Sequence, residues 1–206
     1  MMTMDRYVQG FPDIFLQEAS LNPWEITDTL EEIIFRKLGE LGDDYKIENN
    51  VAIHKTAIIE QGVKLKGSII ISENSFIGAN AYLRGPIFLG SYVKIGPSSE
   101  IKQSIVFSHS AIAHFNYVGN SILGSQVNLE AGSICANHYN ERQDKRIYVS
   151  LGGIVIDTKT EKFGSIIGDN SKVGANAVLS PGTILEKNSV VKRLELIEQV
   201  KGSSEI

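Results

Sequence analysis

The sequence predicts an all-β solenoid of hexapeptide repeats, and three regularities support this fold. An apolar residue recurs at every sixth position through the middle of the chain, and a small or β-branched residue stands two positions before each one. Glycine directly follows three of these positions, as Gly78, Gly90 and Gly96, where turns need a permissive backbone. A period of six fits no helix, but it fits a three-sided coil of about 18 residues. The six-step positions are Ile53, Ile59, Leu65, Ile71, Ile77, Leu83, Leu89, Ile95, Ile101, Phe107 and Ala113.

The repeat continues beyond Ala113 with changes of phase. We expect slips near Tyr117 and near Ser121, because two five-residue sides would keep the inward positions apolar. The later inward positions are Val118, Leu123, Leu129 and Cys135, then Ile167, Val173, Leu179, Leu185 and Val191. Between them, residues 138–164 are mixed and charged. We therefore expect a solenoid domain over 51–192 with an inserted loop at 138–164, which is either functional or a plain surface excursion.

The two ends of the chain have a different pattern. Asn22 is a cap candidate before Pro23, and Gly42 is placed to end a helix. The apolar positions at helical spacing between them are Leu30, Ile33, Ile34, Phe35, Leu38 and Leu41. We expect residues 1–50 to be a helical segment that caps the open end of the solenoid or packs beside it, or else offers a surface to a partner protein. Residues 193–206 are expected to form a helix and tail.

Composition excludes several classes of protein. The 206 residues carry 24 acidic and 20 basic side chains, a net charge of −4, which argues against nucleic acid as the main partner. A single cysteine excludes a disulfide framework, and the four histidines lack metal-ligand spacing, so no metal is expected. No apolar run approaches the roughly 20 residues of a membrane span, and the first residues lack a signal-peptide layout. We expect a cytoplasmic protein that does not bind membranes.

One histidine is a candidate for catalysis. His54 and His109 occupy ordinary repeat positions, and we expect both to be exposed and inert. His114 lies where the phase is expected to slip, and an irregular corner can re-aim a side chain. Because imidazole accepts a proton near neutral pH, His114 is a candidate general base, the alternative being an ordinary surface histidine.

Four segments carry a resemblance to a known family: Ala81–Arg84, Glu100–Lys102, Ala113–Gly119 and Val127–Asn137. Together they resemble the acetyltransferase domain of the bifunctional N-acetylglucosamine-1-phosphate uridyltransferase/glucosamine-1-phosphate acetyltransferase family, including its archaeal-type sugar-1-phosphate enzymes. The resemblance covers about residues 50–190. It implies a left-handed parallel β-helix, since spacing alone does not fix the hand of the coil, and a homotrimer with sites between protomers.

The resemblance also implies roles for individual residues. His114 matches the general base that takes a proton from the sugar amine, and Asn137 matches an asparagine that helps to arrange the amine and the thioester. Arg84 and Lys102 match residues that hold the sugar phosphate, a role that suits a bidentate guanidinium and an ammonium. The remaining matches are Tyr117 and Asn128, which contact the sugar, and Ala131 and Ala175, which line the acetyl-CoA path.

Three departures from the family pattern stand out. No nucleotidyltransferase domain precedes the repeat, so uridylyl transfer is not expected of this chain. Gln143 stands where the family often has a lysine, which makes Lys145 the candidate for that role in substrate binding. The repeat ends soon after Val191, where the family usually adds coils and a basic tail that contacts CoA.

The sequence therefore predicts an acetyl-CoA-dependent N-acetyltransferase that acts on an amino-sugar 1-phosphate, with glucosamine 1-phosphate as first candidate. Two alternatives stay open. One is an acyltransferase of the same class on another amino sugar or nucleotide sugar. The other is a non-catalytic solenoid that scaffolds or regulates a separate sugar nucleotidyltransferase. The matched residues favour catalysis, whereas the N-terminal helix and the short C-terminus favour the scaffold.

Overall fold

The repeat folds into a parallel β-solenoid with three faces, as predicted. The computed structural model describes residues 3–200. Strands one coil apart pair in parallel, for example Ile69–Ile71 with Tyr82–Leu89. Two long strands, Tyr82–Leu89 and Glu100–Val106, bend across a corner and so join two faces into one sheet. The third face is a separate seven-stranded sheet.

We name the faces by what covers them. The covered face contains Val51–His54, Ile69–Ile71, the second halves of Tyr82–Leu89 and Glu100–Val106, Ile122–Leu123, Ser165–Ile167 and Thr183–Leu185. The open face contains Ile58–Ile59, Phe76–Ile77, Lys94–Ile95, Ala111–Ile112, Asn128–Leu129, Lys172–Val173 and Val190–Val191. The basic face contains Lys64–Lys66, the first halves of Tyr82–Leu89 and Glu100–Val106, Tyr117–Gly119, Ile134–Cys135, Val178–Leu179 and Leu196–Ile197.

The six-step positions form the inner core, with one correction. The inner apolar cluster contains Ile71, Ile77, Leu83, Leu89, Ile95, Ile101, Val118, Leu123, Leu129, Cys135, Ile167, Val173, Leu179, Leu185 and Val191. Val106 and Ile112 point inward in place of the predicted Phe107 and Ala113, and Phe107 packs outside the coil. The first five-residue side therefore follows Ile101, where Gln103 adopts a left-handed φ of 46°. The second slip occurs as predicted, between Val118 and Leu123.

The N-terminal segment packs beside the solenoid rather than over its end. It consists of short 3₁₀ turns at Met4–Arg6 and Leu16–Glu18 and helices α1 (Phe11–Ile14), α2 (Pro23–Asp28) and α3 (Leu30–Leu38). Pro23 opens a helix as predicted, and Glu25 caps it by accepting a 2.7 Å hydrogen bond from the Asn22 N–H. Phe11 and Phe15 are fully buried against the outer side chains Phe88 and Phe107 of the covered face.

The first coil is covered by a β-hairpin. Tyr45–Glu48 pairs antiparallel with Val51–His54, and His54 packs edge-on to Tyr45 with ring centroids 5.0 Å apart. His54 is buried and its Nδ1 lies 2.9 Å from Thr56 Oγ1, so the expectation that it is exposed was wrong. The added strand shields the edge that the first coil would otherwise expose.

The excursion at 138–164 carries its own hairpin. Tyr148–Leu151 pairs antiparallel with Ile154–Asp157, and Ile147, Val149 and Phe163 are fully buried with the helices. The excursion therefore folds against the covered face, and it ends where the Phe163 N–H donates to the Asn137 carbonyl at 3.1 Å.

The expected helix over Leu194–Glu198 is wrong. Leu196–Ile197 is a strand that pairs with Val178–Leu179 and extends the basic face by one coil. Leu196 is 61% exposed, while the next residue, Ile197, packs on the inner core. This alternation of exposed and buried side chains is typical of a strand. Residues 201–206 of the predicted tail lie outside the described residues. Across residues 3–200, no helix has the length and apolar character needed to cross a bilayer.

Candidate active site

A row of basic side chains crosses the basic face. Arg84 pairs with Lys66 on one side and with Lys102 on the other, at the same position of three successive coils. Arg84 Nη1 donates to Glu100 Oε1 at 2.6 Å, and this hydrogen bond raises the pKa of the guanidinium. The carboxylate therefore holds Arg84 beside Lys102, as a group that binds an anion requires.

Lys102 is half-buried and lies among other cations. Burial lowers the pKa of its ammonium, and the positive charges of Lys162 and Arg84 lower it further. The proximity of Lys162 was not predicted, because the excursion from 138 separates it from the rest of the pattern. Its signal in the sequence is its position directly before Phe163, where the chain rejoins the solenoid. The predicted Lys145 is half-exposed in the excursion, and it makes no hydrogen bond or ion pair with the other candidate residues among those the structure describes.

A hydrogen-bonded relay lies beside this row. Tyr117 Oη donates to Asn137 Oδ1 at 3.1 Å, and Asn137 Nδ2 donates to Asn120 Oδ1 at 2.6 Å. Both asparagines are buried, and burial raises the pKa of the Tyr117 phenol, which keeps it protonated. Gly119 makes room for the relay, since a Cβ there would lie 2.6 Å from Tyr117 Oη and 2.8 Å from Asn137 Cγ.

His114 lies on a regular corner between the open and basic faces. The next corners of the same column are formed by Ala131 and Ala175, as shown by hydrogen bonds from Gly132 N to the His114 carbonyl and from Asn176 N to the Ala131 carbonyl. The structure thus stacks all three predicted residues. The expectation that His114 sits at a phase slip was wrong, because the slips fall at Gln103 and Asn120 on a different corner. His114 is exposed beside the ring of Phe115.

Asn128 is separated from the other sugar-contacting candidates. It is exposed on the open face, paired with Ala111 and Lys172, whereas Tyr117 lies on the basic face beyond the His114 corner. Within one chain, the candidate residues therefore form two groups on either side of one edge of the prism.

A carboxylate fixes the far end of the corner column. Glu130 Oε2 accepts from Ala175 N at 2.9 Å, and both Glu130 oxygens accept from Arg193 at 2.8 Å. The bond to Arg193 holds the pKa of Glu130 below its usual range. Next to this column the basic face becomes apolar, with exposed Ile134 and Leu196.

Two further features of the described residues concern the single cysteine and the possible metal ligands. Burial raises the pKa of the Cys135 thiol to about 12, so Cys135 stays a protonated core residue. No group of three or more His, Cys, Asp or Glu side chains within residues 3–200 is arranged to hold a metal ion. The described residues bring together a row of basic side chains, a hydrogen-bonded phenol and an exposed imidazole.

Comparison with known proteins identifies relatives that share more than a third of the aligned residues with this chain. A family described as the hexapeptide repeat of succinyl-transferase matches residues 68–96 and 165–192. The bifunctional sugar-1-phosphate nucleotidylyltransferase/acetyltransferase of Sulfurisphaera tokodaii is 36% identical over 166 residues, covering 78% of this chain and 41% of the relative. The bifunctional protein GlmU of Methanococcus maripaludis strain C7 is 39% identical over 176 residues, covering 82% of this chain and 42% of the relative. The chain spans about two fifths of the length of the curated relatives it matches.

Among solved structures, the crystal structure of the BC4754 gene product of Bacillus cereus matches with a TM-score of 0.51. It is 13% identical, and the match covers 72% of this chain and 80% of that chain. The likeness supports the solenoid fold.

Proposed function

The chain belongs to the hexapeptide-repeat acyltransferases, in the group that includes the acetyltransferase domain of the bifunctional sugar-1-phosphate enzymes, and from this premise we propose that it transfers an acetyl group from acetyl-CoA to the amine of an amino-sugar 1-phosphate. Glucosamine 1-phosphate is the first candidate. The observation that carries the proposal is the Arg84–Lys102 pair beside the Tyr117–Asn137 relay, on the basic face whose opposite edge is the His114 corner.

The phosphate of the substrate binds at the basic row. Arg84 is pre-oriented by Glu100 and offers a fork of donors to phosphate oxygens, while Lys102 and Lys162 add positive charge. Lys102 is partly desolvated in the free protein, so a dianionic phosphate relieves the repulsion among the cations. This supports a phosphorylated sugar over a neutral one.

The acetyl transfer needs a base near the sugar amine. The amine nitrogen attacks the thioester carbonyl, the new N–C bond forms, the C–S bond breaks, and the CoA sulfur leaves as the thiol after taking up a proton. His114 accepts the proton that the amine loses. Tyr117 and Asn137 hold the sugar so that amine and thioester meet, and this orientation supplies much of the rate.

The site is completed by a second copy of the chain in a homotrimer. Asn128 faces away from Tyr117 within one chain, so a second protomer packed on the edge at His114 would bring an Asn128 opposite a Tyr117. Exposed Ile134 and Leu196 next to this edge are suited to an interface or to the pantetheine arm of acetyl-CoA.

The test is release of free thiol from acetyl-CoA in the presence of a panel of amino-sugar phosphates and their unphosphorylated sugars. We expect turnover with a phosphorylated amino sugar, and we expect Arg84→Ala and Lys102→Ala to raise the KM for that sugar more than the KM for acetyl-CoA. Lys94→Ala, an exposed lysine on the open face, is the control. Binding of neither substrate by the wild type would favour a scaffold for a separate nucleotidyltransferase instead.

A further inference from the structure

We infer that Asn120 is a positioning residue that sets the direction of the Tyr117–Asn137 hydrogen bond, so that Tyr117 Oη accepts a hydrogen bond from an N–H or O–H of the substrate. The role in substrate recognition rests on the proposed function, whereas the direction of the bond does not. Asn120 does not occur among the residues that the sequence singled out.

The geometry holds Asn120 rigidly. Its side chain is 1% exposed and its backbone has a left-handed φ of 44°, at the five-residue side after Val118. Its N–H donates to the Lys102 carbonyl at 2.9 Å, and its carbonyl accepts from Gly164 N at 2.9 Å. The residue therefore joins the coil of Lys102 to the end of the 138–164 excursion.

The direction of the relay follows from the atoms that meet. An amide has one acceptor and one donor end, and Asn137 Nδ2 is engaged by Asn120 Oδ1 at 2.6 Å. Only Asn137 Oδ1 is then left for Tyr117, whose Oη donates to it at an oxygen–oxygen distance of 3.1 Å. Tyr117 Oη keeps its lone pairs for a donor. Asn120 Oδ1 is the atom that engages Asn137, while Asn120 Nδ2 is buried without a partner within the described residues.

The consequence is a preference at the sugar. A neutral amine or a hydroxyl of the substrate donates a hydrogen bond to Tyr117 Oη, and its own lone pair is left unengaged by this contact. An ether oxygen or a methylated group at the same place finds no donor there. If both amides had the opposite orientation, Asn137 Nδ2 would donate to Tyr117 Oη, and the Tyr117 hydroxyl would be free to donate to the substrate. The test below distinguishes these two orientations.

Two variants of Asn120 test the direction. Asn120→Gly tolerates the left-handed backbone but removes the acceptor, and Asn120→Asp keeps an acceptor of the same shape. We expect kcat/KM for the amino-sugar phosphate to fall about tenfold in Asn120→Gly, as one lost hydrogen bond predicts, with the KM for acetyl-CoA unchanged. Asn120→Asp should restore most of the loss. Asn74→Gly, an exposed asparagine at φ 55°, is the matched control.

A second measurement is independent of activity. The side-chain amide protons of Asn137, assigned by their loss in Asn137→Asp, should exchange with solvent about tenfold faster in Asn120→Gly and near the wild-type rate in Asn120→Asp. Unchanged exchange in Asn120→Gly, or equal acceleration in both variants, overturns the inference. If the wild type acetylates no amino sugar while the exchange rates behave as expected, the proposed function fails and the relay stands.

Discussion

At the scale of single residues, the first question is which lysine of the 138–164 excursion contributes to binding of the sugar phosphate. Lys162 lies close enough to Lys102 to lower the pKa of its ammonium, whereas Lys145 makes no hydrogen bond or ion pair with the site among the described residues. We expect Lys162→Ala to raise the KM for the sugar phosphate about 5- to 10-fold, and Lys145→Ala to leave it near the wild-type value. Steady-state kinetics on the pair decide between them, and the reverse order would reinstate the lysine that the sequence indicated.

The charge on Lys102 predicts a pH dependence. Its pKa is lowered by burial and by the neighbouring cations, so the ammonium loses its proton below the usual 10.5 of lysine. As pH rises through that lowered pKa, the KM for the sugar phosphate should rise. Lys102→Arg keeps its charge, and the alkaline rise should then move to higher pH. Identical alkaline profiles for the wild type and Lys102→Arg would contradict a role for this ammonium.

His114 carries the prediction on catalysis. It is exposed at the corner above Ala131, with ring nitrogens that make no hydrogen bond within residues 3–200. We expect His114→Ala to lower kcat about 10²- to 10⁴-fold with little change in sugar binding. His109→Ala, an exposed histidine on another corner, is the control. Near-full turnover by His114→Ala would remove the general base from the proposal.

At the scale of elements, the interface between helices and solenoid carries the stability of the N-terminal segment. Phe107 is buried there, with ring centroids 5.8 Å from Phe11 and 6.0 Å from Phe15. We expect Phe107→Ala to lower the free energy of unfolding by about 3–5 kcal/mol, measured in urea. Phe35→Ala, on the 64% exposed side chain of α3, should change it by less than about 0.5 kcal/mol. Equal losses of unfolding free energy in the two variants would contradict the packing of the N-terminal helices on Phe107.

The sequence predicted most of the inner core, because a period of six repeated over many coils fixes which residue of each strand points inward. It failed where two adjacent residues are both apolar. Val106 and Phe107 satisfy the pattern equally, and only the short side at Gln103 decides that Val106 turns inward. Leu194–Glu198 failed for a similar reason, since five residues of alternating character fit a helix turn and a strand alike.

The candidate site was predictable where it is local and not where it depends on the excursion. Arg84, Lys102 and Tyr117 fall on one face because their spacings match the coil. Lys162 joins them only because the hairpin of Tyr148–Leu151 and Ile154–Asp157 folds away to the covered face and the chain returns to Asn137. No pattern in the sequence fixes where an inserted hairpin sends its ends.

At the scale of the whole molecule, we expect a homotrimer with parallel solenoid axes, because the family resemblance implies one and the candidate residues lie on both sides of one edge of the prism. The helices cover one face, whereas the basic face ends in exposed Ile134 and Leu196 beside the His114 corner, and apolar surface of this kind is stable when buried between copies. We expect sedimentation of the wild type at micromolar concentration to give a trimer, and Ile134→Lys to shift it to monomer with loss of acetyl transfer. Leu16→Lys, 76% exposed on the N-terminal segment, should stay a trimer with full activity. A fully active wild-type monomer would show that one chain holds the complete site and that Asn128 plays no part in it.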